Sequence, residues 1–336
     1  MEAYIKAISY YLPEQILTNE DLVKEFPEWT VDKIANKVGV KVRHISAPDE
    51  TAGDMAIKAA EKLFAEHDIN RDLIDFVLLC TQSPDYFLPS TACVIQDRLH
   101  LRTSCGAYDI DLGCSGYEYA LATAKGFIFA GIAKNVLILT AETYTKHLHP
   151  KDKGNRTIFG DGATATLVSS SGFAKILEFS LGTDGRGFEQ LIHRTGAWRQ
   201  KEPANDLHES EGGNPISSDF LFMDGKGIFD FTAEVVPQVL EENLAKNGLS
   251  LSDVSLFVFH QANRYMINYL RKLIGIDKEK FYVCLENVGN TVSSTIPIAL
   301  VEARKEGILK GYVFLIGFGV GLSYGAVTLE ISDDVS

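Results

Sequence analysis

The chain reads as an α/β protein with buried strands, and three observations predict this. Apolar, β-branched runs of strand length alternate with helix-period stretches along the whole sequence. Its 336 residues are long for a single core and suit two fused halves. Short stretches of the first half also resemble stretches of the second, in the same order.

In chain order, the clearest strands are Phe76-Val-Leu-Leu-Cys, Val136-Leu-Ile-Leu-Thr, Thr164-Ala-Thr-Leu-Val, Leu256-Phe-Val-Phe and Val313-Phe-Leu-Ile. Each is a short continuous apolar run, the signature of a strand covered on both faces. The clearest helices span 54–65, 117–129, 231–246, 265–274 and 298–306. The stretch 117–129 is apolar around most of its circumference, which predicts a centrally buried helix. Leu73-Ile-Asp-Phe-Val-Leu-Leu-Cys, leading toward Tyr86, resembles Asp253-Val-Ser-Leu-Phe-Val-Phe-His, leading toward Tyr265. Val136-Leu-Ile-Leu-Thr-Ala-Glu resembles Val313-Phe-Leu-Ile-Gly-Phe-Gly, and Cys114 falls where Asn290 falls in the second half. These matches predict a duplication with its boundary near Ser171-Gly172, giving halves 1–172 and 173–336. The stretch from Ala197 to Pro215 is polar, Pro/Gly-rich and aperiodic, and reads as a surface loop.

Hydrophobic residues at 46% and charged residues at 23% describe a globular protein. The net charge of −13 excludes a general nucleic-acid binder, which needs a basic face against phosphates. An acidic partner protein would need a local basic patch. The cysteines (Cys80, Cys93, Cys105, Cys114, Cys284) are odd in number and lack metal-site or disulfide spacing. No leader-like segment precedes Ile5, and no apolar run approaches the ~18–20 residues of a membrane span. The expectation is a reducing, cytoplasmic setting with no membrane contact.

Three residues carry chemistry. Cys114 stands in Tyr108-Asp-Ile-Asp-Leu-Gly-Cys-Ser-Gly-Tyr, between an apolar strand and the buried helix. A helix start offers unpaired N–H groups and a positive dipole end, both favouring thiolate. Gly113 and Gly116 allow close backbone approach around it. His260 ends a strand in Phe259-His-Gln-Ala-Asn-Arg, and Asn290 lies in Val288-Gly-Asn-Thr, before a helix. Alone, Cys114 could be a small core residue and Asn290 a helix cap. Together at strand–helix junctions they suit thioester chemistry. The other four cysteines read as core residues.

Beyond these, the strings Gly113-Cys-Ser-Gly, Ile158-Phe-Gly-Asp-Gly-Ala, Met223-Asp-Gly-Lys-Gly, His260-Gln-Ala-Asn, Gly289-Asn-Thr and Gly317-Phe-Gly-Val-Gly follow one another in order. In these strings, over nearly its whole length, the chain resembles the β-ketoacyl-acyl-carrier-protein synthase III family of the thiolase superfamily. That resemblance implies a five-layer αβαβα architecture of two similar halves and a decarboxylative Claisen condensation. Cys114 would take an acyl group from acyl-CoA. His260 and Asn290 would donate hydrogen bonds to the thioester oxygen of malonyl-acyl carrier protein as CO₂ leaves. Backbone N–H groups of Cys114, Gly319 and Val320 would hold the oxyanion.

The resemblance also implies a CoA site at Trp29, Lys37, Lys153 and Arg156, with Lys153 standing where the family has an arginine. It implies carrier-protein docking by Arg264, Arg271 and Lys272, and a homodimer in which Phe87 and Leu88 reach the partner subunit's acyl pocket. Residues 32–36 are additional to the family pattern, and Val320 replaces a frequent glycine. These departures fit a specialised relative, whose acyl group could be larger or polar. Three alternatives stay open: transfer of the acyl group to a hydroxyl or amine, a Cys-His-Asn hydrolase, and a non-catalytic subunit. No cofactor is expected, since acyl-CoA is a substrate. No metal is expected either: the histidines lack ligand spacing, and His147 and His149 read as loop residues.

Overall fold

The five apolar runs all form strands, and weaker runs beside them complete a large sheet. The computed structural model describes residues 2–332. Its strands are β1 (Tyr4–Tyr11), β2 (Gln15–Thr18), β3 (Val42–Ile45), β4 (Phe76–Cys80), β5 (Gly106–Ile110), β6 (Asn135–Glu142), β7 (Gly162–Ser169) and β8 (Ala174–Thr183). Four two-residue strands follow, β9 (Leu191–Ile192), β10 (His208–Glu209), β11 (Pro215–Ile216) and β12 (Phe222–Met223), then β13 (Val254–Phe259), β14 (Gly311–Gly319) and β15 (Ser323–Ile331). The helices are α1 (Asn19–Glu25), α2 (Val31–Lys37), α3 (Ala52–Glu66), α4 (Thr91–Arg98), α5 (Gly116–Phe129), α6 (Lys153–Arg156), α7 (Gly225–Lys246), α8 (Arg264–Ile274) and α9 (Thr295–Lys305).

Nine strands join in the order β13-β14-β15-β8-β1-β7-β6-β4-β5. The β8–β1 junction is narrow, pairing Tyr4 with Lys175 and Ile5 with Ala174. On one side β4 runs parallel to β6, β6 antiparallel to β7, and β7 antiparallel to β1. On the other, β13 runs parallel to β14, β14 antiparallel to β15, and β15 antiparallel to β8. Outside β4 lies β5, after which the chain reaches Cys114. Outside β13 a parallel bridge joins Phe257 to Phe281, after which the chain reaches Asn290.

Alternating side chains set the layers. Leu78, Val136 and Ile138 of one half, and Leu256, Val258, Val313 and Leu315 of the other, pack with Tyr117, Ala120, Leu121 and Ala124 of α5 and with Ile296, Ala299 and Leu300 of α9. These two helices are the middle layer. On the outer face of the first half, Val77, Leu79, Leu137 and Leu139 meet α3 and α4. On the outer face of the second, Phe257, Phe259, Phe314 and Ile316 meet α7 and α8. The result is the expected αβαβα stack.

Two helices start well before the sequence reading. Helix α7 begins at Gly225, where 231 was expected, because Asp224 caps it by accepting from the Lys226 N–H at 3.1 Å. Two glycines in Gly225-Lys-Gly read locally as a turn, and the cap overrides them. Helix α9 begins at Thr295 through a preceding tight turn at Val292–Ser294. Residues 32–36 form most of α2, capped by Thr30. The 197–215 stretch is a largely exposed loop ending in the small β10–β11 hairpin. Among the described residues no helix is long and apolar enough to cross a membrane.

Candidate active site

Cys114 follows β5 and immediately precedes the N-cap of α5, buried in the same apolar cluster as Tyr144, Phe159, Leu221, Phe318 and Leu322. The cap residue, Ser115, makes no side-chain capping bond, and the first N–H of α5, that of Gly116, donates to the Gly113 carbonyl at 2.8 Å. The end of β14 presses on this turn: a Cβ on Gly317 would lie 2.4 Å from the Cys114 carbonyl, and one on Gly319 would lie 2.9 Å from Sγ. Only glycine permits that approach. It brings the backbone of Val320 onto the thiol, so Cys114 and Val320, two of the three expected oxyanion donors, do flank Sγ.

The expected thiolate is not the resting state. Burial pushes the Cys114 pKa up to about 12, with Glu142 and Glu118 adding to the rise, and the backbone groups of Val320 and Cys114 only partly oppose it. The helix start acts as anticipated, but desolvation outweighs it. Glu118 has no partner for either carboxyl oxygen, and burial pushes its pKa well above the usual carboxylate range.

His260 ends β13, its N–H donating to the Ile316 carbonyl at 2.8 Å and its ring edge-on to Phe318 at 5.7 Å. Burial lowers its pKa to about 3, so the imidazole is neutral. Asn290 is fixed through Ile158-Phe-Gly-Asp-Gly: its N–H donates to the Ile158 carbonyl and its own carbonyl accepts from Gly160, both at 3.0 Å. Its Oδ1 accepts from the Val292 N–H at 2.9 Å. Its Nδ2 donates to the Ala262 carbonyl at 3.3 Å and lies 3.5 Å from His260 Nε2. His260 and Asn290 therefore point polar nitrogens at one spot, and Cys114 reaches the same core through Gly319, Val320 and Phe318.

The expected CoA residues gather at one rim. Trp29 is half-buried, with Lys33 Nζ 4.8 Å over its ring. Lys153 pairs with Glu28 at 2.8 Å, and Arg156 pairs with Glu25. Lys37 is exposed at the end of α2. The three expected docking residues differ in their surroundings. Arg264 is held by Glu286 at 3.2 Å, and Arg271 donates to the Ile276 carbonyl at 2.7 Å, closing its own helix. Of the three, only Lys272 is uncommitted among the described residues; the outward face of α8 instead shows Tyr265, Tyr269 and Leu273. Phe87 and Leu88 are 75% and 80% exposed, reaching no pocket of their own chain, with Phe87 near Trp198.

Sequence reasoning missed a polar chain behind Cys114. Glu142, fully buried at the end of β6, accepts from the Gln82 N–H at 2.9 Å and bonds Ser83 Oγ at 2.8 Å. Ser83 Oγ lies 3.3 Å from His147 Nε2, and His147 Nδ1 lies 3.0 Å from His193 Nδ1. His147 is thus no plain loop residue. Burial raises Glu142 to about 8 and lowers His147 to about 4, so both are uncharged near neutrality. The one sequence signal was a carboxylate closing an otherwise apolar strand.

A buried cysteine at a helix start, joined by a histidine and an asparagine on the far side of a five-layer fold, defines a thiolase-type enzyme. Residues 244–331 match the family model of the 3-oxoacyl-[acyl-carrier-protein (ACP)] synthase III C terminal, and residues 108–185 that of 3-oxoacyl-[acyl-carrier-protein (ACP)] synthase III. The chain is 36% identical over 332 residues to the β-ketoacyl-[acyl-carrier-protein] synthase III of Clostridium perfringens, covering 98% of this chain and 99% of that one. The crystal structure of a 3-oxoacyl-(acyl-carrier-protein) synthase III matches with a TM-score of 0.96 at 44% identity, covering 98% of this chain and 100% of that one. The Thermus thermophilus synthase III matches at 0.86 and 33%, covering 98% and 99%. The chain belongs to the 3-oxoacyl-[acyl-carrier-protein] synthase III family.

Proposed function

We propose that this protein is a condensing enzyme of the transferase class that joins an acyl group from acyl-CoA to a malonyl unit on acyl carrier protein. The observation that carries this reading is the convergence of Asn290 Nδ2 and His260 Nε2, 3.5 Å apart, in the core that holds Cys114. Family membership supports it; transfer to a hydroxyl or amine has no such support.

In the first half-reaction Cys114 loses its proton and its sulfur attacks the thioester carbon; CoA leaves as the thiol and the acyl group stays on Sγ. The N–H groups of Cys114 and Val320 stabilise the oxyanion. In the second, the malonyl thioester oxygen accepts from Asn290 Nδ2–H and from His260 Nε2–H, and CO₂ departs as the enolate charge forms. The enolate carbon attacks the acyl carbonyl, the Cys114 sulfur leaves, and a solvent proton restores the thiol. One such preorganised donor contributes about 2.7–4 kcal/mol. The Trp29 rim, with Lys33, Lys153 and Arg156, would take the CoA nucleotide, the cations exchanging carboxylate for phosphate. Carrier docking falls on the α8 face with Lys272, and a homodimer would cover the exposed Phe87-Leu88 loop. The five free cysteines support a reducing, cytoplasmic setting.

Intact-protein mass spectrometry tests this. Incubation with acyl-CoAs should add one acyl mass, absent in Cys114→Ala, and malonyl-acyl carrier protein should then discharge it with CO₂. A stable adduct that malonyl-acyl carrier protein does not discharge would overturn the condensation.

A further inference from the structure

Beyond His260 and Asn290, the core around Cys114 carries further polar groups. Tyr144 is 3% exposed and belongs to the same buried cluster as Cys114. Gln82 Oε1 is buried without a partner. It sits against the residue preceding the nucleophile: a Cβ on Gly113 would fall 2.6 Å from Oε1 and 2.7 Å from Val320 Cγ1. One unmet acceptor, Gln82 Oε1, and the Tyr144 hydroxyl therefore lie near where an acyl chain would start.

Both are held in place. Asp161 fixes the turn carrying Tyr144, accepting from the Thr145 N–H at 2.9 Å and its hydroxyl at 2.6 Å. The Tyr144 ring packs on Phe159 at 4.9 Å and edge-on to His147 at 5.6 Å. The Gln82 backbone is tied to Glu142, and Ser83, His147 and His193 continue that chain behind Tyr144. A buried polar atom without a partner costs about 1–3 kcal/mol, and a fully apolar acyl chain would leave that cost in place. A hydroxyl on the chain, donating to Gln82 Oε1, would remove it. Gln82 carries no charge, and burial keeps Glu142 and His147 uncharged near pH 7, so the matching substituent is uncharged.

We propose that the acyl group accepted by Cys114 carries a hydroxyl within a few carbons of its thioester, donating to Gln82 Oε1 and accepting from the Tyr144 hydroxyl. This rests on the reading of Cys114 as the acyl acceptor. Sites that pair a substrate hydroxyl discriminate strongly against the analogue lacking it, because their polar groups are otherwise left bare.

The test compares Cys114 acylation rates, by intact mass, for butyryl-CoA against 2-, 3- and 4-hydroxybutyryl-CoA. At least one hydroxylated chain should load tenfold or more faster than butyryl-CoA. Gln82→Leu and Tyr144→Phe should each shrink that preference at least threefold while butyryl loading holds or rises, which separates lost recognition from lost folding. Butyryl loading as fast as every hydroxylated chain, or a preference unmoved by both substitutions, overturns the proposal. Loading followed by no malonyl-dependent CO₂ release would overturn the condensation reading and leave this preference standing.

Discussion

Thr295 Oγ1 lies 2.8 Å from His260 Nδ1 and 3.0 Å from the Val292 carbonyl. The hydroxyl has one proton for two acceptors. When it bonds Val292, Nδ1 must carry hydrogen and Nε2 is a lone pair; when it bonds Nδ1, Nε2–H becomes a donor. Val292 holds this geometry with φ +56, a left-handed conformation that costs a β-branched residue roughly 1–2 kcal/mol. Its N–H serves Asn290 while its carbonyl faces Thr295. Backbone strain is thus spent on orienting both donors.

Thr295→Val should leave Nδ1–H on the Val292 carbonyl and deprive Nε2 of its proton. Malonyl decarboxylation should fall tenfold or more, acylation of Cys114 less than threefold, and Thr295→Ser should restore both. Separate assays of CO₂ release and acyl-enzyme formation check this. Equal losses in both half-reactions would show a merely structural role.

Cys114 should alkylate slowly at neutral pH. With its pKa pushed up to about 12, thiolate is scarce until well above pH 9, whereas an ordinary thiol has titrated by then. The iodoacetamide rate at Cys114, followed by peptide mass spectrometry from pH 6 to 10, should climb about tenfold per unit without reaching a plateau. A plateau near pH 7 would contradict the burial argument.

His260 and Glu142 should make stability fall on both sides of the range from about 4.5 to 6.5, for opposite reasons. His260 is lowered to about 3, so between there and its ordinary 6.5 the unfolded chain binds more protons, and stability drops as pH falls. Glu142 is raised to about 8, so between 4.5 and 8 the folded chain binds more, and stability drops as pH rises. Glu142→Gln removes the second effect. Urea midpoints at pH 6 and 9 should therefore differ less in that variant than in the wild type.

Gly319→Ala places a methyl within 2.9 Å of Sγ, against a turn with no slack. Acylation should drop by at least tenfold, with Tm changed by a few degrees. Wild-type loading by the alanine variant would show that the β14 turn yields.

Leu88→Asp puts a charge at the tip of an apolar loop that is 80% exposed in the single chain. If that loop is buried by a partner subunit, sedimentation velocity should show a dimer for wild type and a smaller species for the variant, with far-UV circular dichroism unchanged.

Sequence periodicity alone determined the strands and the central helix, because a doubly covered strand must be apolar throughout and a buried helix apolar all round. Motif order likewise picked out Cys114, His260 and Asn290, whose chemistry is written in residue type. What tertiary structure decided is environment. Burial made Cys114 a resting thiol despite its helix start, and a local salt bridge and a helix end claimed Arg264 and Arg271. Gln82, Ser83, Glu142, Tyr144, His147 and His193 lie on three separate segments and meet only in the folded chain. Desolvation and hydrogen-bond pairing depend on which groups end up within a few ångströms of each other, and spacing along the chain does not record that distance.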